Sequence, residues 1–220
     1  MKMKTLALIH TSATLVPVFQ QLTKARLPAV ETFNIVDDSL VRQIGARGGI
    51  TEDIAARVAA YIGSAASGGA DCILVTCSSI GPAVEAAASS VRVPVMRVDQ
   101  PMADRAVQSG HRIGAIATLP TTLNPTADLV RRRAAAAGKL IELSTRLCDG
   151  AFDALMSGDA EKHDALVASA LRELSRQVDV IVLAQASMAR VVDTLSESDR
   201  RVPILASPPL AIEHLATVLA

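Results

Sequence analysis

The chain carries the same strand-and-turn passage twice. Residues 71–80 read DCILVTCSSI and residues 179–188 read DVIVLAQASM, so Gln185 stands where the first copy has Cys77. Three further segments recur in the same order at a similar spacing: 7–11 with 114–118, 30–38 with 141–149, and 93–96 with 202–205. Because four matched segments in one order are hard to produce by chance, the sequence predicts two structural units of the same topology.

Each unit is predicted to contain a parallel sheet. Short runs rich in aliphatic residues alternate with longer helical patterns, which is typical of strands joined by crossover helices. Aromatic residues make up only 2% of a chain that is 50% hydrophobic, so aliphatic side chains must form most of the core. We expect strands near residues 4–10, 31–36, 71–76, 93–98, 112–117, 140–146, 179–184 and 202–206.

Local signals predict where some helices begin and end. Thr51 is a candidate N-cap for the helix that follows it. Asn124 and Pro125 are candidates for the N-cap and first residue of a helix that ends at Gly138. The glycine-rich segment 45–49 lacks the lysine and hydroxyl residues that complete a phosphate-binding loop, and it predicts a mobile loop instead.

The predicted fold class is α/β, with two pseudo-symmetric lobes, each a mostly parallel four-stranded sheet flanked by helices. We expect the first lobe to comprise residues 1–98 and 208–220, and the second to comprise residues 99–207. In open parallel sheets, ligands bind beyond the carboxyl ends of the strands. Two lobes related by a pseudo-two-fold axis would place Cys77 and Gln185 on opposite walls of one cleft, where we expect the active site.

Composition and charge exclude several classes of partner. The 22 basic and 22 acidic residues balance, so the chain lacks the basic surface of a nucleic-acid-binding protein, and the run at 131–133 is best interpreted as a solvated helix face. No apolar stretch is long enough to span a membrane. Three cysteines at irregular spacing argue against a disulfide framework and indicate a cytoplasmic protein. No cluster of His, Cys, Asp or Glu has metal-ligand spacing.

The motifs at the predicted strand ends resemble those of a known family. They are Val-Thr-Cys-Ser-Ser at 75–79, Ala-Thr-Leu-Pro-Thr-Thr at 117–122, Leu-Ala-Gln-Ala-Ser at 183–187 and Val-Pro-Ile-Leu-Ala-Ser-Pro at 202–208. Together they resemble the aspartate/glutamate racemase superfamily, which includes hydantoin racemases, maleate isomerase and arylmalonate decarboxylase. The resemblance implies an isomerase that uses no metal or organic cofactor, acts on a small carboxylate such as an amino acid, and forms a homo-oligomer.

The chain departs from the family pattern at one catalytic position. Racemases of the family use a cysteine on each side of the substrate carbon, whereas this chain keeps Cys77 and has Gln185 at the second position. A glutamine amide only forms hydrogen bonds and does not exchange protons as an acid or base. The sequence therefore favours a racemase or isomerase that acts through a Cys77 thiolate. The alternatives are a single-cysteine decarboxylase or lyase, an isomerase that adds Cys77 to an unsaturated acid, and a carboxylate-binding protein without catalysis.

Other acid or base candidates are few. Cys77 is the catalytic candidate because it follows a strand and precedes a predicted helix, a position that favours the thiolate. His10 ends the first predicted strand and is an alternative proton carrier, although a turn-capping role is more common. Cys72 is predicted to lie in the core. Cys148 would replace the missing base only if it reached the cleft, and a buried cysteine is the default.

Hydroxyl side chains are the predicted ligands of the substrate carboxylate. Several of them stand in strand-to-helix turns, where capping is the alternative role. Arg97 and Arg190 lie close enough to the motifs to contribute. With support from the resemblance, we predict the following substrate-binding residues: Ser12, Ser78, Ser79, Thr118, Thr121, Thr122 and Ser187.

Overall fold

A computed structural model describes residues 3–219 of the chain. Eight strands alternate with helices: β1 (Lys4–His10), β2 (Val30–Val36), β3 (Cys72–Val75), β4 (Val95–Arg97), β5 (Arg112–Ala117), β6 (Glu142–Leu147), β7 (Val180–Leu183) and β8 (Ile204–Ala206). The α-helices are α1 (Leu15–Arg26), α2 (Ser39–Arg47), α3 (Glu52–Ser67), α4 (Gly81–Ala87), α5 (Gln100–Ser109), α6 (Pro120–Ala136), α7 (Ala151–Met156), α8 (Ala160–Leu174), α9 (Ala189–Thr194) and α10 (Ser207–Val218). Short 3₁₀ turns span Ser78–Ile80, Ala88–Ser90 and Ala186–Met188.

The described residues form two compact units. The first contains the residues up to Gln100 and those from Pro208 onward, and the second is Pro101–Ser207. The sheet of the first unit has the order β2-β1-β3-β4, and the sheet of the second has the order β6-β5-β7-β8. All strand pairs are parallel. The predicted α/β fold with two four-stranded parallel sheets is confirmed.

The inner strands of both sheets are mostly buried, which explains their continuous aliphatic sequences. Every residue of β3 and of β7 is buried. In the first unit, one face of the sheet packs against a cluster that includes Ile54, Val58 and Ile62 of α3. The opposite face packs against Phe19 of α1 and Ile212 of α10. Because helices cover both faces, ligand access is left to the strand ends, as is usual for parallel sheets.

Two predictions of local structure were wrong. Helix α6 begins at Pro120, not at Pro125, and the N–H groups of Thr122 and Leu123 donate to the Leu119 carbonyl at 3.1 and 3.0 Å. Both prolines suit a first helical position, but Pro120 is the one that directly follows the turn after β5. Segment 45–49 is not all loop either, because α2 ends at Arg47 and is capped by Gly48, whose φ of 72° favours glycine.

No helix among residues 3–219 combines the length and the apolar character that crossing a membrane would require.

Candidate active-site residues

Cys77 lies immediately beyond the carboxyl end of β3. Its backbone is extended, with φ −130° and ψ 121°, and the following residues form the 3₁₀ turn that leads into α4. The strand before it is completely buried, whereas the Cys77 side chain is partly exposed. The fold therefore presents this thiol at the sheet edge where ligands bind in parallel sheets.

Gln185 has the same backbone setting in the second unit. It follows β7 with φ −132° and ψ 137°, and a 3₁₀ turn then leads into α9. Its Oε1 atom accepts hydrogen bonds from the Thr118 backbone N–H at 2.6 Å and from Thr118 Oγ1 at 3.0 Å. Because a backbone N–H is always a donor, this contact fixes which end of the amide faces Thr118. The side-chain NH₂ group is left as a hydrogen-bond donor for other partners.

The other two cysteines lie in the core. Cys72 is 1% exposed and Cys148 is 5% exposed. Burial raises the pKa of both thiols, that of Cys148 to about 11, so both are protonated at neutral pH. Cys148 packs among apolar residues that include Ala151, Val167 and Leu183. This environment disfavours Cys148 as a replacement for the missing acid or base.

His10 is held inside the first unit by hydrogen bonds at both ring nitrogens. Nδ1 lies 2.8 Å from Thr76 Oγ1 on the chain leaving β3, and Nε2 lies 2.9 Å from Asn34 Oδ1 on β2. The side chain is completely buried, and its ring contacts Phe19 at a centroid distance of 5.6 Å. Burial lowers the pKa of His10, and the hydrogen bond with Asn34 offsets part of that effect. This placement favours a role in bracing the sheet edge over the predicted alternative role of proton carrier.

The predicted substrate-binding hydroxyls fall on strand-end turns of both units. Ser78 and Ser79 are buried in the 3₁₀ turn after Cys77. Thr118 is buried and donates its one hydroxyl proton to Gln185, so in this arrangement that proton is not available to a carboxylate. The hydroxyls of Ser12 and Thr14 lie 2.8 Å apart in the turn after β1.

The remaining predicted hydroxyls lie in the second unit. Thr121 is half-buried and Thr122 is buried, and both stand in the first turn of α6 because that helix begins earlier than predicted. Ser187 is half-buried in the 3₁₀ turn after Gln185.

One polar cluster at the edge of the first sheet was not predicted. Asp37 follows β2 and accepts hydrogen bonds from the backbone N–H and hydroxyl of Ser39 at 3.0 and 2.7 Å, from the Tyr61 hydroxyl at 2.6 Å, and from Arg57. Although burial raises the pKa of Asp37, these donors outweigh it and lower the pKa. Only the position of Asp37 after a strand was visible in the sequence, because Arg57 and Tyr61 come from the distant helix α3.

The two arginines suggested as substrate ligands are already engaged. Arg97 is buried against Asp99 and Glu85, and Arg190 on α9 pairs with Asp164 at 2.8 Å. Residues 3–219 contain no group of three or more His, Cys, Asp or Glu side chains arranged to hold a metal ion.

Comparison with known proteins identifies the family. The profile described as Asp/Glu/Hydantoin racemase matches residues 7–215. The chain belongs to the Asp/Glu/hydantoin racemase family. No curated protein sequence matches it significantly. Family membership supports a function of the racemase or isomerase type, and it confirms the predicted resemblance.

Solved racemase structures share the fold at low sequence identity. A glutamate racemase isoform from Bacillus anthracis is 16% identical, with a TM-score of 0.79 over 100% of this chain and 82% of that one. An allantoin racemase from Klebsiella pneumoniae is 19% identical, with a TM-score of 0.72 over 98% of this chain and 87% of that one. A glutamate racemase from Francisella tularensis, in complex with D-glutamate, is 13% identical, with a TM-score of 0.73 over 99% and 81%.

Differences in burial among the three cysteines of this racemase-family chain predict selective alkylation. Iodoacetamide at pH 7.5 is expected to modify Cys77 at least about 100-fold faster than Cys72 or Cys148, because the reagent needs an accessible thiolate. Mass spectrometry of proteolytic peptides after timed quenching gives the three rates. Unfolding in urea should make the rates similar, and unequal rates in urea or equal rates in the native protein would contradict the prediction.

Burial of His10 predicts a loss of stability in mild acid. The imidazole takes up a proton more readily in the unfolded chain, where its pKa is about 6.5, than in the fold, where its pKa is lowered. The free energy of unfolding should therefore fall as the pH drops below about 6.5 and through the lower folded value. Urea unfolding at pH 7.5 and 5.5, followed by the fluorescence of Tyr61 in the same unit, measures this change. His10→Gln should reduce the dependence, and the exposed-site variant His111→Gln should retain it.

Proposed function

We propose that this chain is a cofactor-independent enzyme of the racemase and isomerase type that acts on a small carboxylate through the Cys77 thiolate. The observation that carries the proposal is the contrast between two equivalent strand ends. Cys77 and Gln185 have nearly the same backbone angles, and only the first residue has the chemistry of an acid or base. Cys77 is also the one partly exposed thiol among the described residues, since Cys72 and Cys148 are buried.

The chemistry requires a base and oriented hydrogen-bond donors. A carbon–hydrogen bond beside a carboxylate is a very weak acid, so the base must be held close to it and the enolate-like intermediate must be stabilised. In the proposed step the Cys77 thiolate takes the proton and becomes a thiol, and the bonding electrons move onto the carboxylate. The predicted carboxylate ligands in the first unit are the hydroxyls of Ser12, Ser78 and Ser79.

Gln185 makes the proton transfer one-sided in this proposal. Its Oε1 atom is occupied by Thr118, so its NH₂ group is the part that can contact a substrate oxygen. The proton returns to the intermediate either from the Cys77 thiol or from water. In the second unit, Thr121, Thr122 and Ser187 are the proposed carboxylate ligands. The free thiols suit the reducing cytoplasm, and we propose a homo-oligomer by analogy with the family.

A single-cysteine decarboxylase or lyase is the second candidate, and the same glutamine supports it. A decarboxylation leaves a carbanion that needs one proton from one face, and Cys77 alone can supply that proton. Such an enzyme would release carbon dioxide from a malonate-type acid and give a single enantiomer of the product.

The test follows proton exchange in D₂O by NMR. The panel contains both enantiomers of glutamate, aspartate and allantoin, which the family name and the similar structures suggest, together with hydantoins, maleate and an arylmalonate. Deuterium incorporation at the acidic carbon that stops after Cys77 is alkylated supports the racemase or isomerase proposal. Inversion of configuration would show that water serves the second face, and retention would show that Cys77 returns the proton.

Other results of this test would redirect or overturn the proposal. Loss of carbon dioxide without exchange would establish the decarboxylase. A carboxylate that raises the melting temperature of both native and alkylated protein, without exchange or turnover, would establish a binding protein. Turnover that survives complete alkylation of Cys77 would exclude this thiol as the base.

A further inference from the structure

Arg97 lies in the interior of the first unit, with its charge shared between two carboxylates. The side chain is 2% exposed. Its Nε and Nη2 atoms donate to the two oxygens of Asp99 at 2.9 and 2.8 Å, and Asp99 is completely buried. Nη1 donates to Glu85 Oε1 on α4 at 2.9 Å. The guanidinium thus joins the chain after β4 to the middle of α4.

The guanidinium also presses against the start of α4. A Cβ atom placed on Gly81 would lie 2.2 Å from Arg97 Cζ and 2.4 Å from Nη2. These distances are far below van der Waals contact, so glycine is the residue that lets the planar group stack on this backbone. Gly81 is the first residue of α4 and follows Cys77 by only four positions.

Arg97 therefore contacts both sides of the turn that carries the thiol. On one side, Arg97 pairs with Val75 in the β3–β4 register, two residues before Cys77. On the other side, its guanidinium touches Gly81 and binds Glu85 in the helix that follows Cys77. The backbone of Arg97 thus pairs with the strand that enters the turn, and its guanidinium holds the helix that leaves it.

The second unit lacks this arrangement at the equivalent positions. Ala206 of β8 pairs with Leu183 in the same register that joins Arg97 to Val75. The first residue of the helix after the 3₁₀ turn is Ala189, where the first unit has Gly81. The first unit therefore has Arg97 and Gly81 on the elements next to Cys77, whereas the second unit has Ala206 and Ala189 on the elements next to Gln185. If the topology of the unit required this arginine, the second unit, whose strand order is equivalent, would require an arginine at the same position.

We propose that Arg97 is a positioning residue for Cys77, and that the group Arg97, Asp99, Glu85 and Gly81 fixes the turn so that the thiol can react. We call this group the arginine clamp. The proposal deepens the proposed function and rests on it for the catalytic meaning of Cys77, while the position and reactivity of the thiol can be measured without any substrate.

The test measures the rate of Cys77 alkylation by iodoacetamide between pH 6 and 9 in folded variants. Gly81→Ala drives a methyl group into the guanidinium, and Arg97→Lys keeps the charge but loses the planar fork. Each is expected to slow alkylation at pH 7.5 at least about tenfold, because the reaction needs both a thiolate and an open approach to Sγ. Ala189→Gly in the second unit is the matched control and should leave the rate within twofold of wild type.

A coupled variant separates positioning from a general loss of helix stability. The double substitution Arg97→Met/Asp99→Asn removes both buried charges together. It also replaces the guanidinium, which the methyl group of Gly81→Ala would strike, with a less bulky side chain. Adding Gly81→Ala there should change the alkylation rate by less than twofold, against tenfold in wild type. A simple effect of alanine on helix α4 would be the same in both backgrounds.

The outcomes decide the proposal. Folded Gly81→Ala and Arg97→Lys proteins with wild-type alkylation rates would overturn it, and so would an equal effect of Gly81→Ala in the two backgrounds. If the Arg97 variants do not fold, Gly81→Ala and Glu85→Gln are judged by the same criterion. If the wild-type protein shows no exchange or turnover with the substrate panel, that result counts against the proposed function alone, because alkylation does not depend on turnover.

Discussion

Cys77→Ser is expected to lower turnover about 10³-fold with any carboxylate on which the wild-type chain acts. General acid–base catalysis by a positioned group typically contributes 10²–10⁴-fold. A serine hydroxyl has nearly the shape of the thiol but is a far weaker acid than a thiol. At neutral pH almost no serine alkoxide is present, so the base is lost while the turn keeps its shape. Deuterium exchange in D₂O, scaled to protein concentration, measures the loss.

Cys148→Ser is the matched control for this experiment. It makes the same substitution at a thiol that is 5% exposed and packed in the core of the second unit. It should reduce stability and leave turnover of the folded protein within about threefold. If the two variants lost activity equally, or if Cys77→Ser stayed active, the assignment of Cys77 as the base would be wrong. An unchanged melting temperature for Cys77→Ser would show that its loss of activity is chemical.

The sequence was most informative where a buried strand ends in a turn. Eight aliphatic runs predicted the eight strands. The repeated passage predicted equivalent positions for Cys77 and Gln185, and their ψ angles are similar, at 121° and 137°. These features could be predicted because they depend on local patterns and on the need to bury apolar strands on both faces. The motifs around the same strand ends also led to the family.

Contacts between distant segments could not be predicted in the same way. The bond from Thr118 to Gln185 spans 67 positions, as does the bond from Thr76 to the Ile9 carbonyl. Arg97 appeared as a basic residue close enough to a motif to contribute to substrate binding, but its contact with Glu85 depends on the packing of β4 against α4. The sequence pattern assigns residues to elements, whereas the pairing of side chains depends on how those elements pack.

Asp99→Ala is expected to be the most destabilising single substitution that we consider, with a loss of about 3–5 kcal/mol in the free energy of unfolding of the first unit. Asp99 is completely buried and binds the guanidinium of Arg97 through both carboxylate oxygens. Alanine would leave a buried cation with Glu85 as its remaining partner, and Glu85 is itself 36% exposed. Urea unfolding followed by the fluorescence of Tyr61, the single tyrosine of the chain, reports on this unit.

Asp53→Ala provides a control in the same unit. Asp53 also pairs with an arginine, Arg47, but the two side chains are 56% and 45% exposed, and exposed pairs contribute little. The control should therefore lose much less stability than Asp99→Ala, and equal losses would contradict the burial argument.

Removing both buried charges with Arg97→Met/Asp99→Asn should recover part of the loss, because breaking a buried ion pair costs more than replacing it. Recovered stability without recovered Cys77 reactivity would separate the two roles of the arginine clamp, since apolar packing can restore the core but cannot hold the turn as the planar fork does.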